Sequence, residues 1–165
     1  METSQLINFS NLEAVLEEYA TSVCALYRDK LSLHDHYASG NLINNMTYII
    51  DRGVNSIEVS LKLEDYWKYV ENGTRPHWPP VSKILEWVRV KHILPSKTYN
   101  GKLPTEKQLA FLISRKISEV GTKGTQDLSM TLHDLNTAYE QKIGEAINED
   151  LNEAMTAILL EFQMK

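Results

Sequence analysis

One stretch of twelve residues, Tyr69 to Pro80, constrains the fold of this chain more than any other. It combines a carboxylate, a glycine, an arginine, a histidine, a tryptophan and three prolines. Each proline fixes φ near about −65° and removes a backbone donor, so the stretch cannot be the interior of a helix or a central strand. We therefore expect a stiff, bent loop that contacts a substrate, the protein's own core or another protein.

The length and composition predict a single globular domain spanning residues 1–165. Of the 165 residues, 42% are hydrophobic and 24% are charged, which is enough to build a core without disulfide bonds. The net charge of −5 lacks the basic balance of a nucleic-acid binder. A local basic patch can still lie hidden within a mildly acidic average.

The chain carries no sequence signal for secretion or for a membrane. Cys24 is the only cysteine and cannot form an intrachain disulfide bond, so no oxidising compartment is required. The segment from Met1 to Gln5 lacks the features of a signal peptide, and no apolar run approaches the roughly 20 residues of a membrane span. A soluble protein of a reducing compartment, without a membrane partner, is expected.

The first half of the chain predicts a helix followed by a β-hairpin. Apolar residues recur at three- and four-residue steps over 10–31, and Ser10 and Glu13 have the spacing of a capping box. Residues 46–50 are β-prone, and residues 56–64 alternate between apolar and polar, as in a half-buried strand. We expect the helix to cover the apolar face of this hairpin, since a lone hairpin is marginally stable in water.

The second half predicts helices joined by loops. Thr105 and Gln108 have capping-box spacing, Gly121 marks the end of that helix, and 121–125 is expected to be a flexible connector. Pro95 is expected to stop the helix before it, and 96–104 to be an exposed loop. Together with the hairpin, this order predicts the α+β class, with helices packed on a small antiparallel sheet. The helices are expected over residues 63–70, 80–92, 105–120 and 128–162.

Few residues outside the Tyr69–Pro80 stretch have the pattern of a reactive site. Cys24 lies next to a core position of a helix and is interpreted as a small buried hydrophobe rather than a nucleophile. The segment from His34 to His36 offers too few ligands for zinc, so neither a metal nor a cofactor is expected. Residues 121–125 do not fit a phosphate loop, although Lys123 can contact a DNA backbone if the connector faces a channel.

The Tyr69–Pro80 stretch itself permits a catalytic and a structural interpretation. Glu71 can act as a general base, with Arg75 and His77 polarising a substrate. Alternatively, Arg75 forms a forked ion pair with Glu71, His77 donates to a backbone carbonyl, and Trp78 caps the edge of the core. The structural interpretation is favoured, because no second acid, nucleophile or metal set accompanies these residues.

The last turns of the C-terminal helix are apolar on nearly every side. A helix of this kind is usually buried, often against another subunit, so these residues are expected to form an oligomer contact. The residues concerned are Met155, Ile158, Leu159, Leu160 and Phe162.

Three features together resemble the tail-completion and neck proteins of tailed bacteriophages. The first is a helix, then Gly40-Asn41-Leu42, then a hairpin. The second is the Tyr69–Pro80 stretch, which is similar to that family's loop of Tyr, Val, Glu, any residue, Gly-Thr-Arg-Pro-His, any residue, Pro-Pro. The third is the helix segment from Phe111 to Ile117, followed by Gly121-Thr122. The likeness covers roughly residues 12–124, and the loop is its most specific part.

The resemblance implies a non-enzymatic α+β subunit that forms a homo-oligomeric ring in the virion, at the head–tail junction, after assembly in the host cytoplasm. Such rings join the portal to the tail, contact other neck, portal and tail proteins, and let genomic DNA pass through the lumen without sequence-specific binding. The loop is then a structural or interface element rather than a catalytic one. Its positions are Glu71, Gly73, Thr74, Arg75, Pro76, His77, Trp78, Pro79 and Pro80.

Two other functions stay open at the level of sequence. The first is a small intracellular hydrolase that uses Glu71, Arg75 and His77, which requires a concave pocket at the loop. The second is an adaptor protein that binds a partner groove through its C-terminal helix.

Overall fold

The computed structural model of the protein describes residues 8–34, 40–53, 56–96 and 101–163. The predicted α+β class is confirmed, with helices accompanying small antiparallel sheets. Predictions for Met1 to Gln5, for Asp35 and His36, and for part of the 96–104 loop lie outside these residues. The elements, in chain order, are α1 (Ser10–Leu33), α2 (Asn41–Asn44), β1 (Thr47–Arg52), β2 (Ile57–Lys62), α3 (Trp67–Asn72), β3 (Gly73–Thr74), α4 (Val81–Val90), α5 (Glu106–Val120), β4 (Thr122–Lys123) and α6 (Asp127–Gln163).

The chain divides into two compact units, each built from separated segments. Unit 1 comprises Met1–Asp29, Asn45–Leu63 and Leu128–Lys165, and unit 2 comprises Lys30–Asn44 and Glu64–Asp127. The single domain expected from the length stays a prediction. Among the described residues, every helix is too short or too polar to cross a lipid bilayer.

The hairpin of unit 1 forms as its alternating pattern predicts. β1 and β2 pair antiparallel, with Thr47 opposite Lys62 and Arg52 opposite Ile57. Helix α1 is tied to this hairpin along its length. Arg28 donates to the Met46 carbonyl at 2.7 Å, and the Thr21 and Tyr48 hydroxyls lie 3.1 Å apart. The buried side of α1 is formed by Ala20, Val23, Cys24 and Tyr27.

Helices α1 and α6 run antiparallel in unit 1 and share a cluster of aromatic and polar side chains. The rings of Tyr19 and Tyr139 meet edge to face, with centroids 5.4 Å apart. The Tyr139 hydroxyl and the Lys142 ammonium both donate to one Glu18 oxygen, at 2.9 and 3.0 Å. Hydrogen bonds from Lys142 and Tyr139 hold the pKa of Glu18 below its usual value, so this carboxylate is charged at neutral pH. The cluster fixes the register of α6 on α1.

The first turn of α1 is capped by a residue far away in sequence. The carboxylate of Asp150, on α6, accepts the Asn11 N–H at 3.0 Å and the Leu12 N–H at 2.9 Å. Asp150 is completely buried. The predicted capping box of Ser10 and Glu13 is wrong, because the Glu13 carboxylate forms a forked pair with Arg52 instead. Free amide groups at a helix start favour a negative charge, which explains an acid at this core position.

Replacing Asp150 with alanine is expected to lower the free energy of unfolding by about 2–3 kcal/mol, because two helix-end amides lose a charged acceptor. Glu149→Ala is the matched control, since Glu149 is the exposed neighbour on the same helix. It should change stability by less than about 0.5 kcal/mol. Urea unfolding followed by circular dichroism measures both, and equal stabilities of the two variants would contradict the capping role.

Unit 2 contains the helix pair α4 and α5. The predicted capping box of α5 is confirmed, as Thr105 accepts the Gln108 N–H and the Gln108 side chain accepts the Thr105 N–H. Helix α4 ends at Val90, before the expected stop at Pro95, and His92 then adopts a positive φ of 49°. Since a left-handed residue cannot continue a helix, the chain turns away before the proline is reached.

Candidate interaction surfaces

The Tyr69–Pro80 stretch is not one continuous loop. Its first residues close helix α3, which extends to Asn72, beyond the predicted end at residue 70. Gly73 and Thr74 then form strand β3, and only the residues from Arg75 to Pro80 form the bend. The prolines all lie after the strand, so they exclude regular structure there but place no restriction on the residues before Arg75.

Strand β3 is paired with residues that the sequence predicted to be a flexible connector. Thr122 and Lys123 form strand β4, which runs antiparallel to β3 with Thr74 opposite Thr122. The Thr122 N–H donates to the Thr74 hydroxyl at 3.2 Å, and the two threonine hydroxyls lie 3.0 Å apart. The connector prediction is therefore wrong. The pairing could not be predicted from local patterns, because it joins residues 48 positions apart in the sequence.

The two segments approach so closely that only glycine fits at three positions. Gly73 and Gly121 have positive φ values of 72° and 73° and end helices α3 and α5. A Cβ atom at Gly73 would overlap the Thr122 carbonyl oxygen, and one at Gly121 would overlap that of Thr74. At Gly124 it would overlap the carbonyl oxygen of Glu71. We call this arrangement, residues 71–75 with 121–124, the glycine crossing.

The Gly121→Ala variant is expected to lose at least about 2 kcal/mol more unfolding free energy than Gly101→Ala. A positive φ costs an alanine about 1–2 kcal/mol at either position. Only at Gly121 does the overlap with the Thr74 carbonyl oxygen add a further destabilisation. Gly101 is a close control because its φ is also 73°, and a Cβ there meets nothing within 4 Å among the described residues. Chemical unfolding of both variants measures the difference, and an equal loss would show that the crossing tolerates a side chain.

The bend that follows the crossing presents several side chains to solvent. The His77 ring donates from Nδ1 to the Arg75 carbonyl at 2.9 Å, as predicted, so Nδ1 carries a hydrogen. Trp78 contacts Phe111 of α5 edge to face, with ring centroids 5.7 Å apart. Trp78 and Phe111 are still 52% and 47% exposed. Arg75, Pro76, His77 and Pro80 are exposed, whereas Pro79 is buried.

The three residues of the catalytic interpretation differ in their exposure to solvent. Glu71 is 3% exposed, while Arg75 and His77 are exposed at the surface. The forked pair predicted between Glu71 and Arg75 is not formed, and Arg75 makes no ion pair with any described residue. Glu71 belongs to α3, and its backbone carbonyl accepts the Gln126 N–H at 3.1 Å. The residue therefore contributes to the glycine crossing and not to the exposed surface.

Other candidate chemistry has structural explanations in the described part of the chain. His34 lies 2.8 Å from the carboxylate of the buried Asp127, and no group of three or more possible metal ligands occurs among residues 8–34, 40–53, 56–96 and 101–163. Cys24 is buried, and desolvation raises the pKa of its thiol. A raised pKa disfavours the nucleophilic thiolate, in agreement with its interpretation as a core residue.

The last turns of α6 are exposed on every side. From Met155 to Gln163 each residue is exposed, and Phe162 reaches 76%. Earlier along the helix, Tyr139 is buried and Ile147 is half-buried, whereas Leu151 is exposed. The large apolar side chains of this segment are Met155, Ile158, Leu159, Leu160 and Phe162.

A third surface, on α5, was missed by sequence reasoning. Lys107, Phe111 and Arg115 recur every four residues and are all exposed, so they form one stripe along the helix. Phe111, in the middle of this stripe, is the residue that contacts Trp78. The four-residue spacing is visible in the sequence, but only the structure shows that this stripe is exposed to solvent.

Comparison with protein-family models, with curated proteins and with solved structures finds no match to this chain. The likeness to phage neck proteins therefore rests on the quoted sequence features alone, and it stays a prediction.

Proposed function

We propose that this chain is a non-enzymatic structural subunit of a bacteriophage neck, where a ring of copies joins the head connector to the tail. The observation that carries the proposal is the construction of the bend. A backbone crossing that accepts only glycine holds it, and Arg75 and Trp78 extend from it into solvent. Surface exposure of an arginine and a tryptophan on a rigid support is typical of protein interfaces, where these residues often dominate binding.

A ring also requires a second surface that differs from the first, since head-to-tail contacts join two unlike patches. The exposed end of α6 supplies a candidate, with five large apolar side chains in solvent. An adaptor protein that docks this helix into a partner groove would use the same residues. The ring proposal differs from it in requiring the bend as well as the helix.

The hydrolase alternative is disfavoured by burial. Its general base, Glu71, is buried in α3, while the two residues that would polarise a substrate are exposed. A base must lie within hydrogen-bond reach of the proton that it abstracts. The burial of Glu71 therefore supports the structural proposal over the hydrolase alternative.

The direct test is electron microscopy of purified virions of the source phage, labelled with a gold-conjugated antibody to this protein. Label at the head–tail junction is the expected result, and the symmetry of that layer would give the copy number. Absence of the protein from virions, or label confined to the far end of the tail, would contradict the proposal.

Replacing Arg75 or Trp78 with alanine is expected to leave the monomer folded and to lower the yield of tailed particles at least about tenfold. Truncating a central arginine or tryptophan of an interface often costs about 2 kcal/mol or more of binding free energy. Complementation of a phage that lacks the gene, read as plaque titre, measures the effect, and circular dichroism verifies the fold.

Arg89→Ala and Trp87→Ala are the matched controls, because both residues are exposed on α4 of the same unit. Arg89 is already paired with Glu106, at 2.9 Å. Both controls should complement normally. Normal titres with the Arg75 and Trp78 variants as well would mean that the bend is not an assembly surface.

A further inference from the structure

The modest overall charge of the chain conceals a division between its two units. By sequence, unit 1 contains 14 acidic and 5 basic residues, a formal charge of −9, whereas unit 2 contains 8 acidic and 12 basic residues, a charge of +4. The average of −5 therefore describes neither unit. Each unit can attract a partner of the opposite sign, and a second copy of this chain offers one for both.

Several basic residues of unit 2 share the exposed side of α5 with Phe111 and Leu112. Lys107 and Arg115 lie one turn on either side of Phe111 on α5, and Lys116 lies one turn beyond Leu112. Some cations of this unit are engaged within the chain, including Arg115, which lies 3.5 Å from Glu119. The exposed cations that make no ion pair with a described residue include Arg75, Lys107, Lys116 and Lys123. We call Trp78, Phe111, Leu112 and these cations the basic aromatic face.

The end of α6 has the complementary chemistry. After Lys142 the helix contains no basic residue as far as Gln163, but it contains five acidic ones. Glu153 and Glu161 are exposed; Glu153 lies just before the apolar side chains from Met155 to Phe162, and Glu161 lies among them. At 1.5 Å per residue, the segment from Met155 to Gln163 is about 13 Å long, which is the size of a helical anchor for a groove.

We infer that the end of α6 in one copy docks on the basic aromatic face of unit 2 in the next copy. This inference rests on the proposed function, because it names the subunit contact of the ring. A second copy fits both properties of the face, since α6 supplies apolar side chains for Trp78 and Phe111 and carboxylates for the surrounding cations. A nucleic acid would satisfy the cations but would leave the apolar end of α6 in water.

Charge reversal in the full-length protein tests this contact. Glu161→Lys should weaken self-association about two- to tenfold, because a surface ion pair is replaced by a repulsion. Adding Lys107→Glu or Lys116→Glu to that variant should restore the association in at least one combination, since each contact then pairs reversed charges. Sedimentation equilibrium over a range of protein concentrations measures the dissociation constants.

Glu58→Lys is the matched control, because it makes the same charge change on an exposed position of strand β2 in unit 1. Both single variants reduce the net charge from −5 to −3. If net charge alone governed association, both would associate more strongly. The docking contact instead requires weaker association for Glu161→Lys and no such weakening for Glu58→Lys.

Cysteine cross-linking tests the same contact if the free protein associates too weakly to sediment as an oligomer. Leu160→Cys and Leu112→Cys are prepared separately, mixed at high concentration and oxidised; the native Cys24 is buried and does not compete. A disulfide-linked dimer in this mixture, exceeding that of Glu58→Cys mixed with Leu112→Cys, is expected. Equal cross-linking of the two mixtures would overturn the inference.

Two further outcomes separate this inference from the proposed function. Gold label at the head–tail junction, without cross-linking or charge rescue, would overturn the docking contact and leave the neck assignment intact. Cross-linking and rescue in a protein absent from virions would support the contact and remove the neck assignment. Binding of a short DNA duplex that Lys107→Glu and Lys116→Glu weaken, without any effect of Glu161→Lys on self-association, would assign the face to nucleic acid instead.

Discussion

The close approach of two backbone segments at the glycine crossing is the constraint on which the exposed bend depends. Helices α3 and α5 are each followed by a C-cap glycine of positive φ. Gly73 is the first residue of β3, Gly121 directly precedes β4, and the two strands pair with each other. The carbonyl oxygens beside Gly73 and Gly121 occupy the space where side chains would otherwise lie. Because backbone meets backbone without intervening side chains, the start of the bend has little freedom to shift.

Local patterns in the sequence predicted the elements well and their long-range partners poorly. The capping box at Thr105, the alternation in β2 and the periodicity of α1 each involve neighbouring residues, so they could be recognised directly. The buried position of Asp150 could not be recognised in this way. A charged residue is expected inside a protein only where a partner such as the start of another helix lies beside it. Only its spacing from Tyr139, eleven residues or about three turns, indicated that it shares the buried side.

The exposure of residues at the candidate surfaces could not be predicted from the sequence either. Trp78 is exposed and Glu71 is buried, yet the sequence places both residues in one short motif. Which of them faces solvent is determined by where α3 ends, two residues beyond its predicted end. The apolar character of the α6 end is evident from the sequence. Its complete exposure is not, because it depends on where the contacts between α6 and α1 stop.

The division of charge restricts how copies of this chain can meet. Contacts between two copies of unit 1, or between two copies of unit 2, would bring like charges together, at −9 and +4 respectively. A contact of unit 1 in one copy with unit 2 in the next would be attractive. It would leave unit 2 of the first copy and unit 1 of the second copy unused, which is the condition for adding further copies. Exposed charges are screened within about 8 Å at physiological salt, so in the proposed docking contact they would orient the encounter. The apolar α6 end and the Trp78–Phe111 pair would supply most of the lasting attraction.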